Sequence, residues 1–541
     1  MQQQEYKKLA KELKDGLNQL AQKRGENWES HWQECSDYFL PRKADINTER
    51  SKGDKRNIQI FDSSAIHSLE LLSSSLHGSL TSSANRWFDL RFKEASINED
   101  DTAREWLEDS TDKMYLAFNR SNFQQEIFES YHDLICFGTS CLYIEEDSDD
   151  VIRFSSRHIK EVYIAEDAKG LVNCIYRKFK LSAKAAVEKF GFENLSRSIQ
   201  NIFKNAPFDE VIICHVVKPR DMYDSKKLDK LNMPFFSAYF EFESEHIISQ
   251  GGFREFPYVV PRYLKASNEV WGRSPAMAAL PDVKVLNKMV EIQLKAAAKQ
   301  VDPPLLVPDD SFSLPVRMSP GSINFYRAGS RDRIEPLNIG ANNPLGLNME
   351  DQRRESIART FHVDQLLISE SRTLTATEVM QRNEEKLRIL GPVVGRLNSE
   401  LLQPLIIRVF NIMLRNKLFI PAPEILNGQE IEVEFVSPLA IAQKSQELSS
   451  IMRGLEIFGS ISQVTPIQDY LDEKGLVKQI VKVLGLPAKM IKSDEEVEEV
   501  KVQRQEQQAQ QAEMMQAMQE AKVAKDAAPM VKTLNEQTEQ Q

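Results

Sequence analysis

Apolar residues recur at helical spacing in the first part of the chain, alternate in the middle, and return to long helical periods after Ser274. Leu9, Leu13, Leu17 and Leu20 form one stripe, which Trp28, Trp32 and Phe39 continue until Pro41 stops it. This predicts one or two helices over Gln3–Phe39. A polar loop, Lys43–Asn57, separates them from a helix over Ile58–Leu80, with Ile66, Leu69, Leu72, Leu76 and Leu80 on one face. Its many serines suggest close packing on a neighbour. Trp87–Phe92 alternates and reads as a strand. Two more helices are expected over Glu99–Phe118 and Asn122–Phe137.

Between residues 140 and 265 the period falls to two. Ser140–Glu145, Val151–Ser155, Lys160–Ala165 and Leu171–Phe179 are strand-like, and Glu166-Asp-Ala-Lys-Gly170 is a hairpin turn between the last two. Ser182 as N-cap and Gly191 as C′ residue bracket a short helix. Val211–Val217, Phe235–Phe242, His246–Ser249 and Tyr258–Leu264 return to strands.

Ser274-Pro275 and Leu280-Pro281 each place proline where a helix begins, so the second helix is expected over Pro281–Val301, about 32 Å long at 1.5 Å per residue. Asp302-Pro303-Pro304 ends it. A Pro/Gly/Asn-rich stretch leads to a helix over Met349–Phe361 and a polar loop over His362–Leu374. Thr375-Ala-Thr-Glu378 is a capping box that opens a helix of about 60 Å. Gly391-Pro392 is expected to kink it and Pro404 to bend it again. Glu430–Val436 reads as a strand. Helices follow over Ala440–Phe458, Gln468–Glu473 and Gly475–Leu484, then a Gln/Glu/Lys/Met/Ala-rich tail from Glu495.

The 541 residues are 41% hydrophobic and 28% charged, enough for a sizeable core in two to four domains. No apolar run approaches the roughly 20 residues of a membrane helix, and Met1–Leu20 lacks the apolar core of a signal peptide. Five cysteines without paired spacing (Cys35, Cys136, Cys141, Cys174, Cys214) predict reduced, mostly buried thiols. A net charge of −11 argues against a protein that coats nucleic acid by bulk attraction, but is compatible with one that surrounds it loosely.

No phosphate loop, dinucleotide-binding turn, His-Glu-x-x-His pair or nucleophile elbow is present. Gly391-Pro-Val-Val-Gly395 puts a helix kink where a phosphate loop would need a strand. Cys214 and His215 face opposite sides of a strand and cannot share a metal. His132 and Cys136 could, but lack further ligands and read as core. Asp147, Asp149 and Asp150 lack the glycine and distal glutamate of a calcium loop. The chain therefore reads as a non-enzyme with no cofactor and no metal.

Two features carry geometry. Lys284, Lys288, Lys295 and Lys299 fall within an arc of about 60° on one helix, opposite Val283, Leu286, Val290, Leu294, Ala297 and Val301 within about 80°. The stripe is either a solvated face or a track for a phosphate backbone. Arg353, Arg354 and Arg359 repeat the theme on the next helix, diluted by Glu350, Asp351 and Glu355. The second feature is the loop His362–Leu374 with its apolar knot, Leu366-Leu367-Ile368, a length of connection that is often functional.

Trp271-Gly-Arg-Ser-Pro-Ala-Met, the lysine-striped helix, Leu367-Ile-Ser-Glu-Ser-Arg-Thr-Leu-Thr-Ala-Thr-Glu-Val-Met380 and Gly391-Pro-Val-Val-Gly-Arg-Leu-Asn-Ser-Glu-Leu-Leu-Gln-Pro-Leu405 occur in that order. The order resembles the portal, or head-to-tail connector, family of short-tailed bacteriophages, over most of the chain. The resemblance implies a mixed α+β, predominantly helical portal fold with wing, stem, clip and crown, assembled as a ring, usually of twelve copies, at one capsid vertex. Residues 1–139 would be the helical part of the wing, 140–270 its β-rich domain, and 271–302 the first stem helix. The clip would be 303–347, the second stem helix 348–361 and the channel loop 362–375. A long kinked wing helix and strand would take 376–436, crown helices 437–494, and a helical tail 495–541. Channel residues would include the seven basic residues above, with His362, Gln365, Leu366, Leu367, Ile368, Ser369 and Arg372 on the loop and Gly391 and Pro392 at the kink. The implied partners are double-stranded DNA, the terminase large subunit, major capsid and scaffolding proteins, and tail adaptor, nozzle and internal core proteins, with no membrane. The expected location is the virion, after assembly in the host bacterial cytoplasm. The competing expectation is another structural head-tail adaptor.

Overall fold

The computed structural model describes residues 2–302 apart from 52, 57–58, 85, 95–99, 148, 225–226 and 228. It further describes residues 304–306, 323, 335–336, 344–363, 390–423, 431–435, 451–454, 500 and parts of 502–518. The chain divides into a main unit (residues 1–89, 112–419 and 433–443) and a second unit (90–111, 420–432 and 444–541). Among the described residues, no helix is long and apolar enough to cross a membrane.

The N-terminal periodicity resolves into two helices, α1 (Gln2–Gly25) and α2 (Trp28–Phe39). Helix α3 (Ser64–Leu80) starts later than its pattern predicts, after a turn in which Asp62 Oδ1 accepts from the Ser64 amide at 2.9 Å. Its serines do sit in packing: Ser68 and Ser73 are buried and donate to their own helix's carbonyls at residues 64 and 69. That back-bonding satisfies a hydroxyl with no outside partner, so the helix can lie close to its neighbour. Strand β1 (Phe88–Phe92), helix α4 (Asp101–Arg120) and helix α5 (Phe123–Phe137) follow. Trp87, Phe88, Phe118, Phe123 and Phe154 form one aromatic cluster in the main unit. In the second unit Phe92 stacks on Trp106, whose indole donates to the Ile420 carbonyl at 2.8 Å.

The alternating region is antiparallel throughout. Strands β2 (Leu142–Asp147), β3 (Val151–Ser156) and β9 (Tyr258–Val259) form a sheet in the order β3-β2-β9. A five-stranded meander runs β4 (Val162–Glu166), β5 (Val172–Ser182), β6 (Glu210–Pro219), β7 (Phe235–Glu241) and β8 (Ile247–Phe253). Because the side-chain period is two, each strand feeds two cores. Cys214 and Val216 face α1, packing with Leu13, Leu17, Ala238 and Phe240. Val211 and Ile213 face the other way, onto Ala183, Ala186 and Ile199 of α6 (Ala183–Phe190) and α7 (Arg197–Asn205). Ser182 caps α6 as its sequence implies, its side chain accepting from the Ala185 amide at 3.2 Å.

Helix α8 spans Pro275–Val301 without a break, so Pro281 does not open a separate helix but lies inside one. Proline costs about 3 kcal/mol in a helix interior. Here Ala276, Met277, Ala279 and Leu280 are all buried ahead of it, and that packing holds the first turns in line. Short strands β10 (Leu305–Leu306) and β11 (Glu335–Pro336) pair antiparallel, and helix α9 (Pro344–Thr360) returns against α8. Residues 390–397 are helical, Asn398–Leu402 form a wide π turn, and α10 (Gln403–Arg415) completes the helix. Strand β12 (Ile431–Phe435) falls where a strand is expected. Thr375-Ala-Thr-Glu378 and the three helices expected between Ala440 and Leu484 lie outside the described residues, save 451–454, which are helical.

Candidate functional site

The α8–α9 hairpin is anchored by a knot around Trp271-Gly-Arg-Ser-Pro. The Ser274 hydroxyl accepts from the Met277 amide at 3.0 Å, capping α8, and donates to the Cys136 carbonyl at 2.9 Å, tying that cap to the end of α5. Gly272 passes so close to Gly138 that a Cβ on either would collide with the other's carbonyl oxygen. The Gly272 amide donates to Thr139 Oγ1 at 2.8 Å. Trp271 sets its ring edge against Trp32 at 4.8 Å, and the Trp32 indole donates to the Phe137 carbonyl at 3.1 Å. This locks α2, α5 and α8 into one frame.

Further along α8, Asn287 accepts from the Phe61 amide at 2.7 Å and donates to the Gln59 carbonyl at 2.7 Å. Helix α9 crosses here. Asp282 accepts from Arg353 at 2.7 Å and from Ser356 at 2.8 Å, and Asp62 holds Arg354 at 3.1 Å. Ile357 and Phe361 are fully buried, and Phe361 packs on Phe39 at 5.5 Å. His362 closes α9 in the left-handed region, φ 56°, and burial lowers its pKa.

The basic candidates are mostly neutralised within the chain. Lys284 meets Glu34 at 2.7 Å. Lys288 and Lys295 share Glu291, at 2.9 and 2.6 Å, and together hold its carboxyl below the usual range, Lys295 most. Arg354 also meets Asp351 at 2.9 Å, and Arg359 meets Glu355 at 2.6 Å. Lys299 has no carboxylate partner among the described residues. The opposite stripe changes character along α8. Val283 and Leu286 are buried, whereas Leu294 is 54% and Val301 87% exposed. Ile292, also exposed, lies on the opposite face, beside the lysines.

Of the loop candidates only His362 falls within the described residues; Gln365, Leu366, Leu367, Ile368, Ser369 and Arg372 lie outside them. Gly391 and Pro392 lie within the helical stretch 390–397, and the residues before it are outside the description. The distortion the structure does hold is the π turn. Gln403 donates to the Asn398 carbonyl, five residues back, immediately before Pro404. A widened turn relieves the clash between a proline ring and the carbonyl four residues earlier. Among the described residues no cluster of three or more His, Cys, Asp or Glu could hold a metal. His132 instead contacts the Phe128 carbonyl at 2.9 Å, and Cys136 is buried with its thiol pKa raised by desolvation.

The family model for the bacteriophage head to tail connecting protein matches residues 10–491. This chain belongs to that family. The portal protein of Salmonella phage epsilon15 is 32% identical over 494 residues, 89% of each chain. The probable portal protein of Bordetella phage BPP-1 is 31% identical over 482 residues, 87% of each. A solved chain titled as the neck of an empty GTA particle covers 72% of this chain and 86% of its own, at 10% identity and a TM-score of 0.35, and carries no weight here.

Proposed function

We propose that the chain is the portal of a short-tailed phage, a ring at one capsid vertex that conducts double-stranded DNA during packaging and ejection. The observation that carries the ring is the apolar stripe of α8. Its first half is consumed by the subunit's own core, and its second half, through Leu294 and Val301, continues uncovered on the same face. Exposed apolar bands of this kind mark association surfaces. A neighbouring copy's hairpin supplies a matching face under cyclic symmetry. The family match and two relatives named as portal proteins support the same reading.

In this reading α8 and α9 are stem helices, the segment between them the clip that receives the terminase motor and later tail proteins, and the segment after His362 a loop facing the channel. The wall is slippery rather than adhesive. Six of the seven basic candidates are already paired with carboxylates, and the chain carries −11 overall. Paired charges give DNA little to release counterions against. The ring performs no bond-making of its own.

Native mass measurement and cryo-EM projections of the purified full chain test this. A cyclic assembly near twelve copies with an open axial channel is expected. A monomer at micromolar concentration in every salt would overturn it, and a smaller collar without a stem would favour a tail adaptor. Deleting Leu366–Ser371 should leave ring assembly intact and impair packaging or DNA retention. Normally filled heads from that variant would remove any gating role for the loop.

A further inference from the structure

Away from the hairpin, the main unit holds a cavity of about 530 Å³ between β2, β7, β8 and α10. Its size suits a small organic ligand. The rings of Tyr143, Tyr239 and Phe253 line it, and so do four cationic side chains, Lys230, Arg254, Arg408 and Arg415, against two carboxylates, Glu145 and Glu146. Arg408 and Arg415 are seven residues apart on α10, so they project from nearly the same face.

Arg408 is only 4% exposed. Among the described residues its hydrogen bonds leave from Nη1, to the Glu255 carboxylate at 2.8 Å and the Glu255 carbonyl at 3.4 Å. Its Nε is buried and has no hydrogen-bond partner among the described residues. A buried guanidinium N–H left unmade costs free energy. Both oxygens of the Glu255 carboxylate are already engaged, because Arg415 holds Oε1 at 2.8 Å and shares Oε2 with Arg408 at 3.1 Å, and it also reaches Glu146 at 3.3 Å. The Nε edge is the side of a guanidinium that grips two oxygens of one oxyanion.

We propose that this cavity is an oxyanion site, taking the carboxylate or phosphate of a small ligand on the Nε edge of Arg408 while the ligand's flat apolar body lies among Tyr143, Tyr239 and Phe253. The site is independent of the DNA-channel reading and needs no ring to form.

Titrating the full-length protein with phenyl phosphate, and separately with inorganic phosphate, by calorimetry at fixed ionic strength tests it. Phenyl phosphate is expected to bind saturably, with a Kd below about 1 mM, and inorganic phosphate more weakly because it lacks the apolar contacts. Arg408→Gln should weaken phenyl phosphate at least about tenfold. Arg408 also partners Glu255, so that variant could misfold. Ser249→Trp avoids this: it fills the cavity from an exposed strand position and leaves Arg408 in place. It should abolish binding with little change in thermal midpoint. Absence of saturable binding to the wild type, or equal affinity in wild type and Ser249→Trp, would overturn the proposal.

Discussion

Arg262 and Glu400 lie 138 positions apart and meet through three hydrogen bonds. The Arg262 amide and Nε both donate to Oε2, at 3.0 and 2.9 Å, and Nη2 donates to Oε1 at 2.8 Å. The remaining guanidinium donors reach Glu166 at 2.7 Å and the carbonyls of Gly170 and Val270. Arg262 is 1% exposed and Glu400 lies in the π turn. The wide turn that accommodates Pro404 thereby delivers a carboxylate to the β4–β5 hairpin and the strand that leads to Trp271.

Arg262→Met should therefore destabilise the main unit by about 2–4 kcal/mol, because it takes the buried partner from two poorly solvated carboxylates and, among the described residues, leaves Glu166 only Lys265 and Glu400 only Arg396 as cationic partners. Pairing it with Glu400→Leu should recover part of that loss. Denaturant midpoints of the single and double variants decide it: additive losses would mean the two residues are not energetically coupled.

Gly272→Ala should cost about 1–3 kcal/mol by overpacking, or prevent folding, since the atom its Cβ meets is backbone and cannot rotate away. A soluble variant with an unchanged thermal midpoint would show that the knot can spread. Gly391→Ala, where a Cβ meets nothing within 4 Å, serves as the matched control.

The helices of the N-terminal region and the alternating strands were legible because one face of each is apolar at a fixed period. The register of β5, β6 and β7 follows from two cores of opposite parity, centred on Cys214 and Ile213. Helix α7 was not read, although Ser196 caps it as Ser182 caps α6, because it ends at Ala206 with no glycine to mark its end as Gly191 marks that of α6. Pro281 misled because proline marks both helix starts and tolerated interior positions, and burial that only the tertiary fold reveals decides between them. The Arg262 network and the Arg408 cavity join residues more than 90 positions apart, a relationship that local pattern does not encode. The lysine stripe is visible in the sequence, whereas the pairing of Lys284 with Glu34 of α2 is not, because it depends on how the two helices pack.

Glu291→Gln should expose that stripe. It frees Lys288 and Lys295 from a shared carboxylate on the outer half of α8. If those lysines face the channel, rings of the variant should bind double-stranded DNA several-fold more tightly near 0.1 M salt, with a steeper salt dependence. Unchanged affinity and slope would place the stripe away from DNA.

Acid should weaken the fold. His215 is fully buried between Tyr258 Oη at 2.7 Å and Ser237 Oγ at 3.0 Å, and desolvation, then the charges of Arg177, Lys189 and Arg157, push its pKa well below the ordinary 6.5. His31, His132 and His158 are lowered as well, each chiefly by burial. A depressed histidine favours the neutral form in the folded state, so the unfolded chain binds more protons as pH falls. The stabilisation is complete above about pH 6.5 and is lost as pH drops from there toward the folded-state values. The thermal midpoint should thus be level from pH 8 to 7 and fall between pH 6.5 and 5. His215→Asn keeps a hydrogen-bonding side chain without a titrating ring, so it should lower the midpoint at pH 7.5 yet flatten the acid slope. An acid slope equal to the wild type's would mean that His215 does not contribute to it.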